Sequence, residues 1–271
     1  MKLRWMSIVA LAVLCVGAPR IFAQNSGITG IAHVAYRVSN LDKELDFLHK
    51  LGYEESFAFT NKEGKISEVF VKINDTQFFE VYPQTEPSQE LGWMHVCYES
   101  GDLNALYKTL AANGLTPRPV EKAGAGNLIS SLKDPEGRVT EFTQYMPGSK
   151  HTLDKGKHLG EHRVSDAIAG FTLPVPDIAA AEKFYTAGLG FAVQRARRGL
   201  RIQITSQPIP WIMLRPAEDN AKPTIVFQIE DVDAAARQLQ AAGLNPELRG
   251  RRVQVTDPDG NVLVFAQSRA R

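Results

Sequence analysis

Apolar and polar positions along this chain run through one cycle four times. Residues 28–38 alternate and are rich in β-branched side chains, which predicts a strand. Ser39 and Asn40 then offer capping side chains. Behind them Leu41, Leu45, Leu48 and Leu51 recur at helical spacing, so residues 41–51 are expected as a helix with one apolar face, closed by Gly52. Residues 53–59, 66–73 and 77–82 read as three further strands, with a turn at Asn61-Lys62-Glu63-Gly64.

The second cycle opens at Leu91. It has a strand at 93–98, Asp102 as cap, a helix at 103–113 closed by Gly114, and a last strand at 139–145. Asp134-Pro135-Glu136-Gly137 before that strand suits a type I turn. The third cycle opens at Ala167, with Asp177 before a helix through Phe184 and Tyr185. The fourth opens at Pro223, with Asp231 ahead of a helix at 234–242 and Gly243 behind it. It repeats the turn as Asp257-Pro258-Asp259-Gly260. An internal repeat of this kind is the strongest clue to architecture. The expectation is an α+β chain of four βαβββ modules in two pairs, with domains at 27–147 and 165–268. Residues 148–164 between them are polar and rich in Lys, Gly and His, as in a linker or lid loop.

Within the first pair, four side chains with metal-binding chemistry fall at equivalent places. His33 and His95 lie in the opening strand of each module, and Glu80 and Glu141 in the last. His33 to Glu80 is 47 residues and His95 to Glu141 is 46. Each sits among apolar or aromatic residues. A carboxylate there is costly unless paired or bound to a cation. Two carboxylates and two imidazoles would offset that cost by holding one divalent ion, for which Fe, Mn, Zn, Ni and Co are all suitable. Strand alternation puts Arg37, Cys97, Tyr82, Thr143 and Tyr145 on the same face as these ligands. Tyr82 or Tyr145 would orient a substrate oxygen, and Arg37 would pair an anion. His151, His158 and His162 fall in the polar connecting segment and are expected on a solvated linker.

Composition narrows the setting. The chain has 271 residues, 44 % hydrophobic and 23 % charged, enough for two domains of roughly 100–150 residues each. A formal charge of +1 gives no reason to expect nucleic acid or an anionic membrane as partner. Lys2 and Arg4, the apolar stretch 5–17 and Ile21-Phe22-Ala23 form a secretory leader in residues 1–23, with cleavage expected after Ala23. Removing Lys2, Arg4 and Arg20 would shift the formal charge from +1 to −2. Cys97 would then be the one remaining cysteine, so no intramolecular disulfide is expected. A bacterial periplasmic or secreted protein is the expected setting.

The strands "AHVAY" and "MHVCYE", the segment "DPEGRVTEF" and its weaker echo "DPDGNVLVF" make the chain resemble the vicinal oxygen chelate (VOC) superfamily, from about Gly27 to Gln267. That superfamily includes glyoxalase I, methylmalonyl-CoA epimerase, fosfomycin and bleomycin resistance proteins and extradiol dioxygenases. The resemblance implies that each pair of modules curls into an open barrel around a metal. It maps His33, His95 and Glu141 onto the two-histidine, one-carboxylate set of the dioxygenases, and Glu80 onto the fourth ligand of glyoxalase I. The second pair departs from the pattern, with Gly170 opposite His33, Met213 opposite Glu80, Ile225 or Val226 opposite His95, and Val264 opposite Glu141. A single metal per chain follows. The resemblance implies a glyoxalase-like lyase or isomerase with Glu80 or Glu141 as base. If Glu80 stands off the metal, an Fe(II) ring-cleavage dioxygenase is implied instead. A resistance-type protein that binds small molecules without converting them is the alternative of another class. Either a monomer with pseudo-dimeric domains or a homodimer is compatible with this arrangement.

Overall fold

The structure, a computed structural model, describes residues 27–195, 199–218 and 221–267. The expected leader lies outside the described residues.

The first half runs β1 (Ile28–Val38), α1 (Leu41–Lys50), β2 (Glu54–Thr60), β3 (Ile66–Lys72), β4 (Phe78–Pro83), β5 (Gly92–Ser100), α2 (Leu103–Ala112), β6 (Glu121–Lys122), β7 (Leu128–Lys133) and β8 (Val139–Gln144). A short helix, α3 (Lys150–Leu153), follows. The second half runs β9 (Ile168–Val175), α4 (Ile178–Lys183), β10 (Ala192–Arg195), β11 (Leu200–Gln203), β12 (Trp211–Pro216), β13 (Thr224–Ile229), α5 (Val232–Ala241), β14 (Glu247–Leu248), β15 (Arg252–Thr256) and β16 (Val262–Gln267).

Each half forms one 8-stranded sheet. The orders are β2-β3-β4-β1-β5-β8-β7-β6 and β10-β11-β12-β9-β13-β16-β15-β14. In both, the opening strand of a module pairs parallel with its last strand (β1 with β4, β5 with β8), and the two opening strands pair antiparallel. Four copies of βαβββ in two pairs are what the hydropathy cycle predicts.

Every module helix starts on an Asn or Asp whose side chain accepts from the backbone N–H groups of the first turn: Asn40, Asp102, Asp177 and Asp231. The fourth helix starts two residues before its expected start, because Asp231 Oδ1 already takes the amides of Asp233 and Ala234. The third continues from α4 into a π turn, Phe184–Gly188.

The connecting segment is not a loose tether. Its anchor is Lys72, fully buried at the end of β3. The ammonium donates to the carbonyls of Asp154 (2.6 Å) and Lys157 (2.8 Å), and pairs with Asp154 Oδ2 (3.0 Å) and Asp75 Oδ1 (2.9 Å). A buried cation must find such a set of oxygens, and the segment supplies it. Burial opposes ionisation of Asp154, but Ser56, Lys72 and His158 outweigh it. For Asp75 the Gly156 amide and Lys72 do the same. Both carboxyls are therefore held below their ordinary range. A group lowered by folding stabilises the native contact above its unfolded pKa, and that contribution is lost as the pH falls through the folded value. The clamp should therefore be complete above about pH 4 and should release in acid below it. Lys72→Met should cost the segment about 2 kcal/mol of local protection, seen as faster tryptic cleavage at Lys155 and Lys157. Unchanged cleavage in that variant would contradict the clamp.

The second barrel has an apolar interior. Trp211, Val226 and Val264 pack together with Ile209, Met213, Val262 and Ala266, and the Arg201 guanidinium lies 4.9 Å from the Trp211 ring centroid. Gly170 is needed here, because a Cβ at that position would lie 2.0 Å from the Trp211 carbonyl oxygen. Strand register corrects one expected correspondence. Thr172 pairs with both Met213 and Thr224, as Ala35 pairs with both Glu80 and His95. Thr224, not Ile225 or Val226, is thus the counterpart of His95, and Val226 is that of Cys97. Gly170, Met213 and Val264 stand where the sequence alignment puts them.

Candidate metal centre

The parallel and antiparallel pairings around β1 bring His33, Glu80 and His95 to one point, and Glu141 reaches that point through His33. His33 Nε2 lies 3.2 Å from His95 Nε2, 3.2 Å from Glu80 Oε2 and 3.4 Å from Glu141 Oε1. His95 Nε2 lies 3.0 Å from Glu80 Oε2. Strand alternation does this work: Glu80 and His95 both pair with Ala35, while Cys97 pairs with both His33 and Glu141. His33, Glu80 and His95 are buried, and the Glu141 side chain is 19 % exposed.

Glu80 is fixed from several sides. Tyr82 donates its hydroxyl to Glu80 Oε1 at 2.9 Å. Glu68, from β3, hydrogen-bonds Glu80 as well. Burial first, then the neighbouring Glu80, pushes the Glu68 carboxyl up to about 9, so it is a neutral donor at pH 7. Burial works against the charge on Glu80, yet His33 and His95 outweigh it and hold that carboxyl well below its ordinary range. Glu80 Oε2 is a buried oxygen with no hydrogen bond, facing both imidazoles. Two imidazole nitrogens and the orphaned Glu80 oxygen on one point, with a Glu141 oxygen 3.4 Å from His33 Nε2, fit a divalent cation of the Fe–Zn series.

Behind the centre, Cys97 joins His33 and Glu141 in a second tight grouping. Its thiol is fully buried, and burial pushes it up to about 12, so it packs as a neutral group.

The centre opens into a cavity of about 460 Å³. Its walls include Phe59, Glu68, Phe70, Tyr82, Ile129, Thr143, Tyr145 and His151. Of the residues expected from alternation, Tyr82, Thr143 and Tyr145 are there. The Tyr145 hydroxyl, however, donates to the Thr76 carbonyl at 2.9 Å, so the ring rather than the hydroxyl serves the cavity. Arg37 is not in the wall. It sits at the strand end and donates to the Glu90 carbonyl at 3.3 Å. His151 is a correction in the other direction. The sequence puts it on a solvated linker, but it is 4 % exposed and lines the cavity, because the Lys72 clamp folds the segment back. Glu68 and Phe70 were also missed. Their signal is alternation along β3, whose Phe70 pairs with Glu80.

The model of the Glyoxalase/Bleomycin resistance protein/Dioxygenase superfamily matches residues 30–142 and 167–265. A lactoylglutathione lyase of Arabidopsis thaliana is 27 % identical over 177 residues, which are 60 % of this chain and 55 % of that protein. The chain thus spans about half the length of this curated relative. Among solved structures, a 2,3-dioxygenase from Pseudomonas sp. superposes with TM-score 0.67 at 17 % identity, covering 90 % of this chain and 93 % of that one. An Mn(II)-bound glyoxalase from Novosphingobium aromaticivorans gives TM-score 0.67 at 18 % identity, covering 89 % and 82 %. At these identities the structural likeness shows a shared fold. The two matched stretches together cover most of the sequence, one in each half, and the chain belongs to the Glyoxalase/Bleomycin resistance protein/Dioxygenase superfamily.

Proposed function

We propose that this protein is a divalent-metal lyase or isomerase of the glyoxalase type, acting on a small molecule with two adjacent oxygens. The observation that carries this reading is Glu80. Its Oε2 stands within 3.0–3.2 Å of both imidazoles and is locked there through Tyr82. A ring-cleaving dioxygenase needs that position open for substrate and O₂.

A bound divalent ion would polarise the adjacent oxygens and acidify the carbon beside them. The chain supplies the rest. Glu80 is held on both sides and serves as ligand. Glu141 is the more exposed carboxylate and borders the cavity, so it is the group to take a proton from that carbon and return it to its neighbour. Phe59, Phe70 and Ile129 hold an apolar body and keep water out. Among the lining residues Lys122 is the one lysine or arginine, with Glu121 beside it in the chain. A glutathione adduct would bring two carboxylates to that single cation, so a neutral substrate is favoured. Export of the mature chain, proposed from the leader, agrees, since glutathione adducts are cytosolic.

The test is exchange of the α-proton for deuterium in neutral α-hydroxy ketones and small-thiol hemithioacetals, followed by NMR. Glu141→Gln should slow exchange about 100-fold or more, and expressing the rate per bound metal separates loss of the base from loss of a ligand. Oxygen uptake with catechols and no exchange would favour the dioxygenase, and an avid binder purified without metal would favour a non-catalytic role.

A further inference from the structure

The connecting segment places one polar group in the cavity wall that the proton transfer above does not use. His151 sits on α3 with its ring enclosed edge-on by Phe57, Phe70 and Phe78, at centroid distances of 4.9, 4.9 and 4.8 Å, and flanked by Tyr145 at 5.0 Å. Its Nδ1 lies 2.8 Å from Asn127 Nδ2, and its Nε2 is buried with no hydrogen-bond partner.

The proton positions follow from the neighbours. The Met146 backbone N–H donates to Asn127 Oδ1 at 3.3 Å. A backbone amide can only donate, so the Asn127 oxygen must face it and the Asn127 NH₂ must face His151. His151 Nδ1 is therefore an acceptor, and the neutral ring carries its proton on Nε2. A second proton on Nδ1 would put two N–H groups head to head. Burial agrees and lowers this imidazole to about 3. The ring is thus a neutral donor from about pH 4 upward, unable to act as a base at Nδ1 or to change sign with pH.

An aromatic cage with one buried N–H and no protein acceptor is a site short of one oxygen. We propose that His151 Nε2–H donates to an oxygen of the molecule bound in this cavity, making α3 the element that selects substrates with an acceptor oxygen on an otherwise apolar, planar body. Lys150 closes the same corner, its ammonium 5.6 Å from the Phe57 and 5.3 Å from the Phe59 ring centroid. The inference rests on the reading of the cavity as the substrate site, not on which reaction occurs there.

The test uses 4-nitrocatechol, a planar molecule with two adjacent oxygens and a visible absorption band that reports binding, on zinc-loaded protein. His151→Phe keeps the aromatic packing and removes the donor, so binding should weaken about tenfold to a hundredfold with zinc content unchanged. His151→Gln restores an N–H near Nε2 and should recover part of the loss. Asn127→Asp asks Nδ1 to donate, moves the proton off Nε2, and should weaken binding as His151→Phe does while the ring stays in place. Equal affinity in wild type and His151→Phe would overturn the proposal and leave the metal reading standing. Wild-type protein that takes up no zinc would instead remove the metal reading. The histidine is then judged by ¹⁵N NMR of the metal-free chain. A proton on Nε2 from pH 5 to 9 is the expected result, and a proton on Nδ1 would overturn it.

Discussion

Protein carrying His33→Ala and His95→Ala together should retain less than about a tenth of an equivalent of divalent metal where the wild type binds one. Each histidine gives its Nε2 to the same point, and the two nitrogens lie 3.2 Å apart with Glu80 Oε2 within 3.2 Å of both. Loss of groups that merely orient ligands costs 10- to 100-fold in affinity, so loss of two ligands should cost more than about 100-fold. The same experiment has a thermal arm. A ligand present at about 1,000 times its dissociation constant stabilises the fold by about 4 kcal/mol. Added metal should therefore raise the wild-type melting temperature by several degrees and leave the double variant unmoved. Metal analysis of dialysed protein and a melting curve with and without zinc check both arms. A full equivalent of metal in the double variant would remove the centre from further consideration.

The paired modules explain why so much of this centre is visible in the sequence. Two copies of one fold put equivalent strands at equal spacing. A histidine or carboxylate recurring at 47 and 46 residues therefore lands on the same face of the same barrel. The helix starts are legible for a local reason, since Asn40, Asp102, Asp177 and Asp231 each cap through their own side chains. What the sequence hides depends on contacts between distant segments. The counterpart of His95 is set by strand pairing, in which Thr172 meets Thr224 as Ala35 meets His95, one or two residues from the Ile225 or Val226 that sequence alignment offers. His151 is hidden because its burial depends on Lys72, 79 residues earlier, and nothing in a run of Lys, Gly and His announces that anchor. Glu68 looks like a wet-face residue until β3 is paired with β4, and only then does it stand beside Glu80.

Phe171→Ala in the second half should destabilise the whole chain by about 3–5 kcal/mol, with both halves still unfolding in a single transition. Phe171 is fully buried in β9. Its ring meets Trp93 at 5.6 Å and Tyr98 at 6.5 Å, both on β5 of the first half. Phe227 of β13 likewise meets Tyr53 at 6.2 Å and Phe79 at 5.8 Å. The buried side chains of the two barrels thus form one continuous core rather than two. Domains that share a core of this kind lose cooperativity only if the shared rings are dispensable. This gives the apolar second barrel a structural role. It supports the far side of β5, the strand that presents His95 to the centre two residues beyond Trp93. Truncating Phe171 should therefore also weaken metal binding, although the residue lies on the opposite side of β5 from the ligands. Denaturation followed by far-ultraviolet circular dichroism and by tryptophan fluorescence should give coincident curves for both proteins, displaced to lower denaturant in the variant. Two separate transitions in the wild type, or a loss below about 1 kcal/mol in the variant, would mean that the halves stand independently and that the second barrel does not support the first.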